Sequence, residues 1–211
     1  MPNDNRILFR RTVLFGTPLL YIVLGLIHPM EDPGMGEDTG VFIALHFAQL
    51  FLIAGIALSL WFLVDGLDSR AATVTRALIL PYVILYTTLD AIAGLAMGDV
   101  VAAANALPAA DQAAAGRLID DLRQAEITGY LFYAAVGLAW LGAAFSAIVA
   151  VRHRSPRPAL VLMGLGALVF AVGHPKPFGP TGMALFLVGI IWLELRPQRK
   201  DTRAPVSVQP T

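Results

Sequence analysis

The sequence contains no cysteine. That removes thiol nucleophiles, disulfide relays, iron–sulfur ligation and thiolate ligation of haem from the chemistry open to it. Charge is scarce as well: 14% of the 211 residues are Asp, Glu, Lys or Arg, where about 25% is usual in a soluble domain. Fifteen basic and fifteen acidic residues cancel, and no concentrated basic stretch is present of the kind that neutralises nucleic-acid phosphates. Neither HExxH nor GxSxG occurs, and there is no Asp-rich diphosphate–magnesium motif or HxxxH ligand spacing. What fills the space is apolar. Hydrophobic residues make up 57% of the chain, and mean hydropathy is +0.69. This is the composition of an integral membrane protein.

Six apolar runs are visible, at about 12–28, 41–64, 77–98, 127–151, 158–174 and 179–195. A helix needs about 20 residues to cross roughly 30 Å of hydrocarbon, with about 17 as the lower end, so the last two runs just qualify. The first run follows a basic segment, as a signal peptide would. It is long, however, and leads into IHPMEDPG rather than a small-x-small cleavage site, which predicts a retained helix. Residues 1–200 read as one six-helix transmembrane domain, with 201–211 (DTRAPVSVQPT) a disordered cytoplasmic tail.

Basic residues orient the spans. With the N-terminus inside, twelve of fifteen lie on the inner side, and only Arg117, Arg123 and Lys176 lie outside. Cytoplasmic retention of positive flanks explains such a bias, and gaining or losing one span would destroy it. Both termini are therefore expected in the cytoplasm, in a multi-pass protein of the cell membrane. Trp61 and Trp192 fall near inner helix ends as interfacial anchors, while Trp140 sits deeper, as packing. Asp65 and Glu194 read as boundary charges near Arg70 and Arg196. Between the third and fourth runs, Leu118, Ile119 and Leu122 form a helical stripe in an alanine-rich stretch after Pro108. That predicts a short amphipathic outer helix, lying on the membrane surface or extending the fourth span. A weak internal echo, LGLIHP and FAVGHP, ends the first and fifth runs; proline-terminated helices alone account for it.

Ionisable groups inside a span are costly and turn towards protein, a partner or water. His46 lies roughly 8 Å and Asp90 roughly 12 Å below the outer ends of their spans, at about 1.5 Å per residue. His28, Glu126 and His174 mark outer helix ends, whereas His153 belongs to the basic inner loop. Tyr82, Tyr86 and Asp90 recur every four residues on one helical face. Glu126, Tyr130 and Tyr133 form a similar stripe, and His46 and Gln49 are one turn apart. Together they predict a polar chamber opening outward, with the Gly/Pro loop carrying Glu31, Asp32, Glu37 and Asp38 at its mouth, as a lid or a simple linker.

Four readings of this set differ in kind. The first is a membrane-embedded enzyme on a lipid or isoprenoid-like apolar substrate. Asp90, Glu126 and His46 would be its acid–base groups, and Tyr82, Tyr86, Tyr130, Tyr133 and Gln49 would line its pocket. The second is a redox protein with haem or a metal ion ligated by His28, His46 and His174. The third, a transporter of a proton or small solute, suffers from an inner half with almost no polar lining. The last is a non-catalytic assembly or sensory protein, in which Asp90 serves stability alone. Membrane lipid is the expected partner in each.

Overall fold

The computed structural model describes residues 4–29, 34–124, 130–173 and 176–195, and all its regular structure is helical. Among the described residues there are seven helices: α1, Asp4–Ile27; α2, Gly40–Leu63; α3, Arg70–Asn105; α4, Ala109–Gln124; α5, Tyr130–Val151; α6, Arg157–Val172; and α7, Phe178–Leu195. Five of them, α1, α2, α3, α5 and α7, are long and apolar enough to cross a membrane. α6 is apolar but has 16 residues. The protein is thus an all-α chain of the multi-span membrane type. The expected tail and inner-end residue Arg196 lie outside the described residues.

Two helices exceed their expected spans. α1 begins at Asp4 rather than near 12, and α3 covers 36 residues rather than 77–98. At about 1.5 Å per residue, α3 is roughly 54 Å long, well beyond the hydrocarbon thickness. Ser69 caps its start, accepting from the Ala72 N–H at 3.2 Å. Its far end is a platform for α4: Ile119 is buried against Met97, Val101 and Ala104. The other stripe residues, Leu118 and Leu122, are exposed. The same end holds the loop after α1. Asn105 accepts from the Gly36 N–H at 2.7 Å and donates to the Glu37 carbonyl at 3.1 Å.

The long helices touch in a closed circuit, α1–α2–α3–α5–α6–α7 and back to α1. The closest approach is between α6 and α7. A Cβ at Gly166 would stand 2.5 Å from the Phe186 nitrogen, and one at Gly182 would stand 2.4 Å from the Phe170 nitrogen. Missing side chains therefore let the two backbones meet. Trp140 is buried in the centre, donates to the Ala167 carbonyl at 2.9 Å, and packs against Tyr82, Phe170 and Phe186. Trp61 and Trp192 lie on the exterior.

Arginines gather where α2 ends. Arg10 donates to the Phe62 carbonyl at 3.3 Å, Arg154 to that of Leu63, and Arg76 to those of Val64 and Leu67 at 2.9 and 3.2 Å. The last carbonyls of a helix lack intrahelical donors and carry its negative dipole end, so three guanidiniums satisfy both needs. The boundary charges Asp65 and Glu194 find their ion-pair partners on α1. Glu194 accepts from Arg10 at 2.5 and 2.7 Å, and Asp65 pairs with Arg6 at 3.3 Å, because α1 extends far enough towards its start to reach both.

Candidate functional site

The buried histidines and the buried aspartate meet where α1 ends. His28 follows the last residue of α1 with an extended backbone (φ −60°, ψ 133°), because Pro29 after it disfavours a further helical turn. Its ring faces His46 of α2, with Nε2 atoms 3.3 Å apart. His46 Nε2 is 4.0 Å from Asp90 Oδ1 of α3. All three residues are buried, with no more than 6% of their surface exposed.

Asp90 opens a π-helical turn, Asp90–Ala96, inside α3. Gly94 in that turn faces the His46 imidazole, and a Cβ there would stand 2.1 Å from its Cδ2. The ring thus occupies the volume that a side chain at 94 would fill. π-turns of this kind concentrate at functional sites, since they re-aim side chains at the cost of a regular hydrogen-bond ladder. On its other face, His46 packs on Phe42 at a centroid distance of 4.1 Å.

The hydrogen bonds fix the tautomers. A carbonyl oxygen only accepts, so His28 Nδ1 donates to the Pro29 carbonyl (2.6 Å) and His46 Nδ1 to the Phe42 carbonyl (2.9 Å). Both Nε2 atoms of neutral rings then present lone pairs. Their 3.3 Å contact is a hydrogen bond when the pair holds one additional proton, and Asp90 is the adjacent carboxyl that can exchange it. Asp90 Oδ2 is buried without a hydrogen-bond partner among the described residues. A second polar knot lies deeper: Tyr21 and Tyr86 share a short hydroxyl–hydroxyl hydrogen bond, and Gln49 Nε2 donates to them at 3.3 and 3.2 Å.

Two cavities adjoin this cluster. A small one, about 20 Å³, is lined by His46, Asp90, Gly94 and Ala93 together with Tyr86, Leu89 and Tyr133. A cleft of about 460 Å³ lies between α3, α5 and α6, and it shares Tyr86, Leu89 and Tyr133 with the small cavity. The rest of its wall includes Val136, Trp140, Leu141 and Phe170, with Gly137, Leu138 and Val172. Leu138 and Val172 are among the most exposed apolar side chains, so the cleft reaches the bundle's apolar exterior.

Of the residues singled out from sequence, His28, His46 and Asp90 come together, and Gln49 and Tyr86 lie in the adjoining hydroxyl network. Tyr133 stands between the two cavities. Tyr82 lines neither; it is fully buried between Tyr86 and Trp140. Glu126, His174, Glu31 and Asp32 lie outside the described residues, as does the side chain of Tyr130. Glu37 and Asp38 are exposed and bond within their own loop, to the Gly34 and Gly40 N–H groups. Among the described residues, no group of three or more His, Asp or Glu side chains could hold a metal ion, which leaves the histidine-ligand reading without a site there. Two residues of the site escape the sequence patterns: Tyr21 and Gly94. Tyr21 precedes His28 by seven positions, two helical turns, and that spacing on one face was its available signal. The chain was compared with protein-family models, with curated proteins and with solved structures, and none of them matches it.

Proposed function

We propose that the chain is a six-span membrane protein that binds a lipid- or isoprenoid-like apolar molecule and acts on it by acid–base chemistry at Asp90 and His46. The observation that carries this reading is the adjacency of the cleft to the small cavity beside the cluster, with which it shares Tyr86, Leu89 and Tyr133. An apolar cleft open to the bundle exterior lies next to a small cavity lined by a buried carboxyl and imidazole, which suits a small-molecule site of apolar walls and a few convergent polar groups. Its volume of about 460 Å³ falls within the ~300–1,000 Å³ of such sites.

In this reading Asp90 and His46 exchange a proton with the reacting group, the Phe42 carbonyl holds His46 in its tautomer, and His28 shares the additional proton through the Nε2 contact. Tyr86 and Tyr133 place the polar end of the substrate. Glu126 retains its proposed role as a second acid–base group, and α6 is the sixth span. Twelve basic residues on the side of the termini support their cytoplasmic location.

The test compares membrane lipids from cells producing the wild type, Asp90→Asn and His46→Gln, with the assembly of each variant checked by its elution in mild detergent. A lipid or isoprenoid species that changes with the wild type and not with correctly assembled variants is the expected result. Equal lipid profiles for all three sink the enzymatic reading, and failure of both variants to assemble assigns the cluster to stability.

A further inference from the structure

The small cavity that shares Tyr86, Leu89 and Tyr133 with the cleft limits the size of any group it could receive. The small cavity beside Asp90 measures about 20 Å³, enough for one water-sized group and no more. A buried acceptor atom, Asp90 Oδ2, has no hydrogen-bond partner among the described residues and belongs to a residue of its wall. Among the described residues, no Lys or Arg lines either cavity. An anionic headgroup would therefore meet the Asp90 carboxyl with no described Lys or Arg side chain to offset it, and like charges set together in a desolvated site repel. A phosphate or a trimethylammonium group is also too large. A primary ammonium gains attraction to the carboxyl but must strip water from three donors where one acceptor atom lacks a partner. The desolvation of a buried ion pair outweighs that gain, whereas a hydroxyl brings one donor and no charge.

We infer that the ligand of this cleft is an uncharged apolar chain ending in a single hydroxyl, which donates to Asp90 Oδ2 while the chain lies along Trp140 and Phe170. The inference rests on the cleft being a lipid-like binding site, as proposed above, and adds the class of headgroup. Tyr86 and Tyr133, at the junction of the two cavities, mark where headgroup gives way to tail. The exclusion of bulky groups comes from His46, Asp90 and the two tyrosines, which line the small cavity with Leu89, Ala93 and Gly94.

Trp140 supplies the readout, because it is buried and forms part of the cleft wall. The other tryptophans, Trp61 and Trp192, lie on the exterior. A Trp61→Phe/Trp192→Phe protein in phosphatidylcholine nanodiscs would be titrated with farnesol, farnesylamine, farnesoic acid and farnesyl phosphate, following Trp140 emission. Farnesol is expected to saturate the signal at a concentration at least tenfold below the other three. Asp90→Asn in the same background is expected to narrow the gap between alcohol and acid about tenfold, since the anion then meets no like charge. Equal affinity for all four probes, or tighter binding of the amine, acid or phosphate, overturns the headgroup inference and leaves the cleft a lipid site. No saturable response to any probe overturns both. The four-probe comparison needs no substitution in the cluster, so it decides even where Asp90→Asn fails to fold.

Discussion

Gly94 is the residue on which the site's geometry turns. The His46 imidazole fills the space a side chain there would need, and the histidine cannot move away without losing either Phe42 or His28. Gly94→Ala is therefore expected to destabilise the protein by about 1–3 kcal/mol, the usual cost of overpacking, and to disturb the cluster. Gly164→Ala is the matched comparison. Its Cβ would meet only Phe145 Cε1 at an ordinary 3.7 Å, and the gain in helix propensity is up to about 1 kcal/mol. Thermal unfolding in detergent should lower the midpoint for the first and hold or raise it for the second; equal midpoints would refute the steric account. At this scale His46 and Asp90 were legible because ionisable groups inside an apolar run stand out from sequence alone. The contact of His28 with His46, eighteen residues apart, was not, since only the packing of α1 on α2 creates it. The π-turn was equally hidden. It widens α3 just beyond the regular Tyr82–Tyr86–Asp90 stripe, and no periodicity at 3.6 residues announces a local change of period.

Among the helices, α1 ties the two ends of the sequence together. It packs on α2 and on α7, and Arg10 grips Glu194 near the end of α7 while also capping α2. The pair is partly buried, at 26% and 11% side-chain exposure, so its hydrogen bonds are shielded from water. Glu194→Ala should cost about 1.5–3 kcal/mol, as loss of hydrogen bonds to a charged group does. Arg6→Ala, which removes an exposed pair with Asp65, should change stability by less than about 0.5 kcal/mol. Comparable losses from the two substitutions in thermal unfolding would show that burial is not what sets their value. The existence of each apolar helix was readable from run length, and α4 from its alanine-rich stretch after Pro108. Helix ends were not. The polar turns that extend α1 to Asp4 and α3 to Asn105 are held by Glu194, Asp65, α4 and the loop after α1, none of which a local pattern registers.

For the whole molecule, the closed circuit of six helices makes the proposed topology testable at its loops. The absence of cysteine means that one introduced thiol is the sole target for a maleimide. With both termini cytoplasmic, a membrane-impermeant maleimide on intact cells should label Asp111→Cys, on α4. It should leave Asp68→Cys, before α3, and His153→Cys, between α5 and α6, unlabelled until lysis. Labelling of Asp68→Cys and Asp111→Cys from the same side would mean that α3 does not cross, and the six-span reading would fail. The backbone-to-backbone docking of α6 and α7 then bears on biosynthesis. A helix of 16 residues sits at the margin of what spans the bilayer unaided. Packed closely at Gly166, Gly182 and Gly189, the two helices would be expected to enter the bilayer together as a hairpin. On this reading α6 is retained at the lateral gate until α7 has been synthesised, and the C-terminal part of the chain commits to the bilayer in one step.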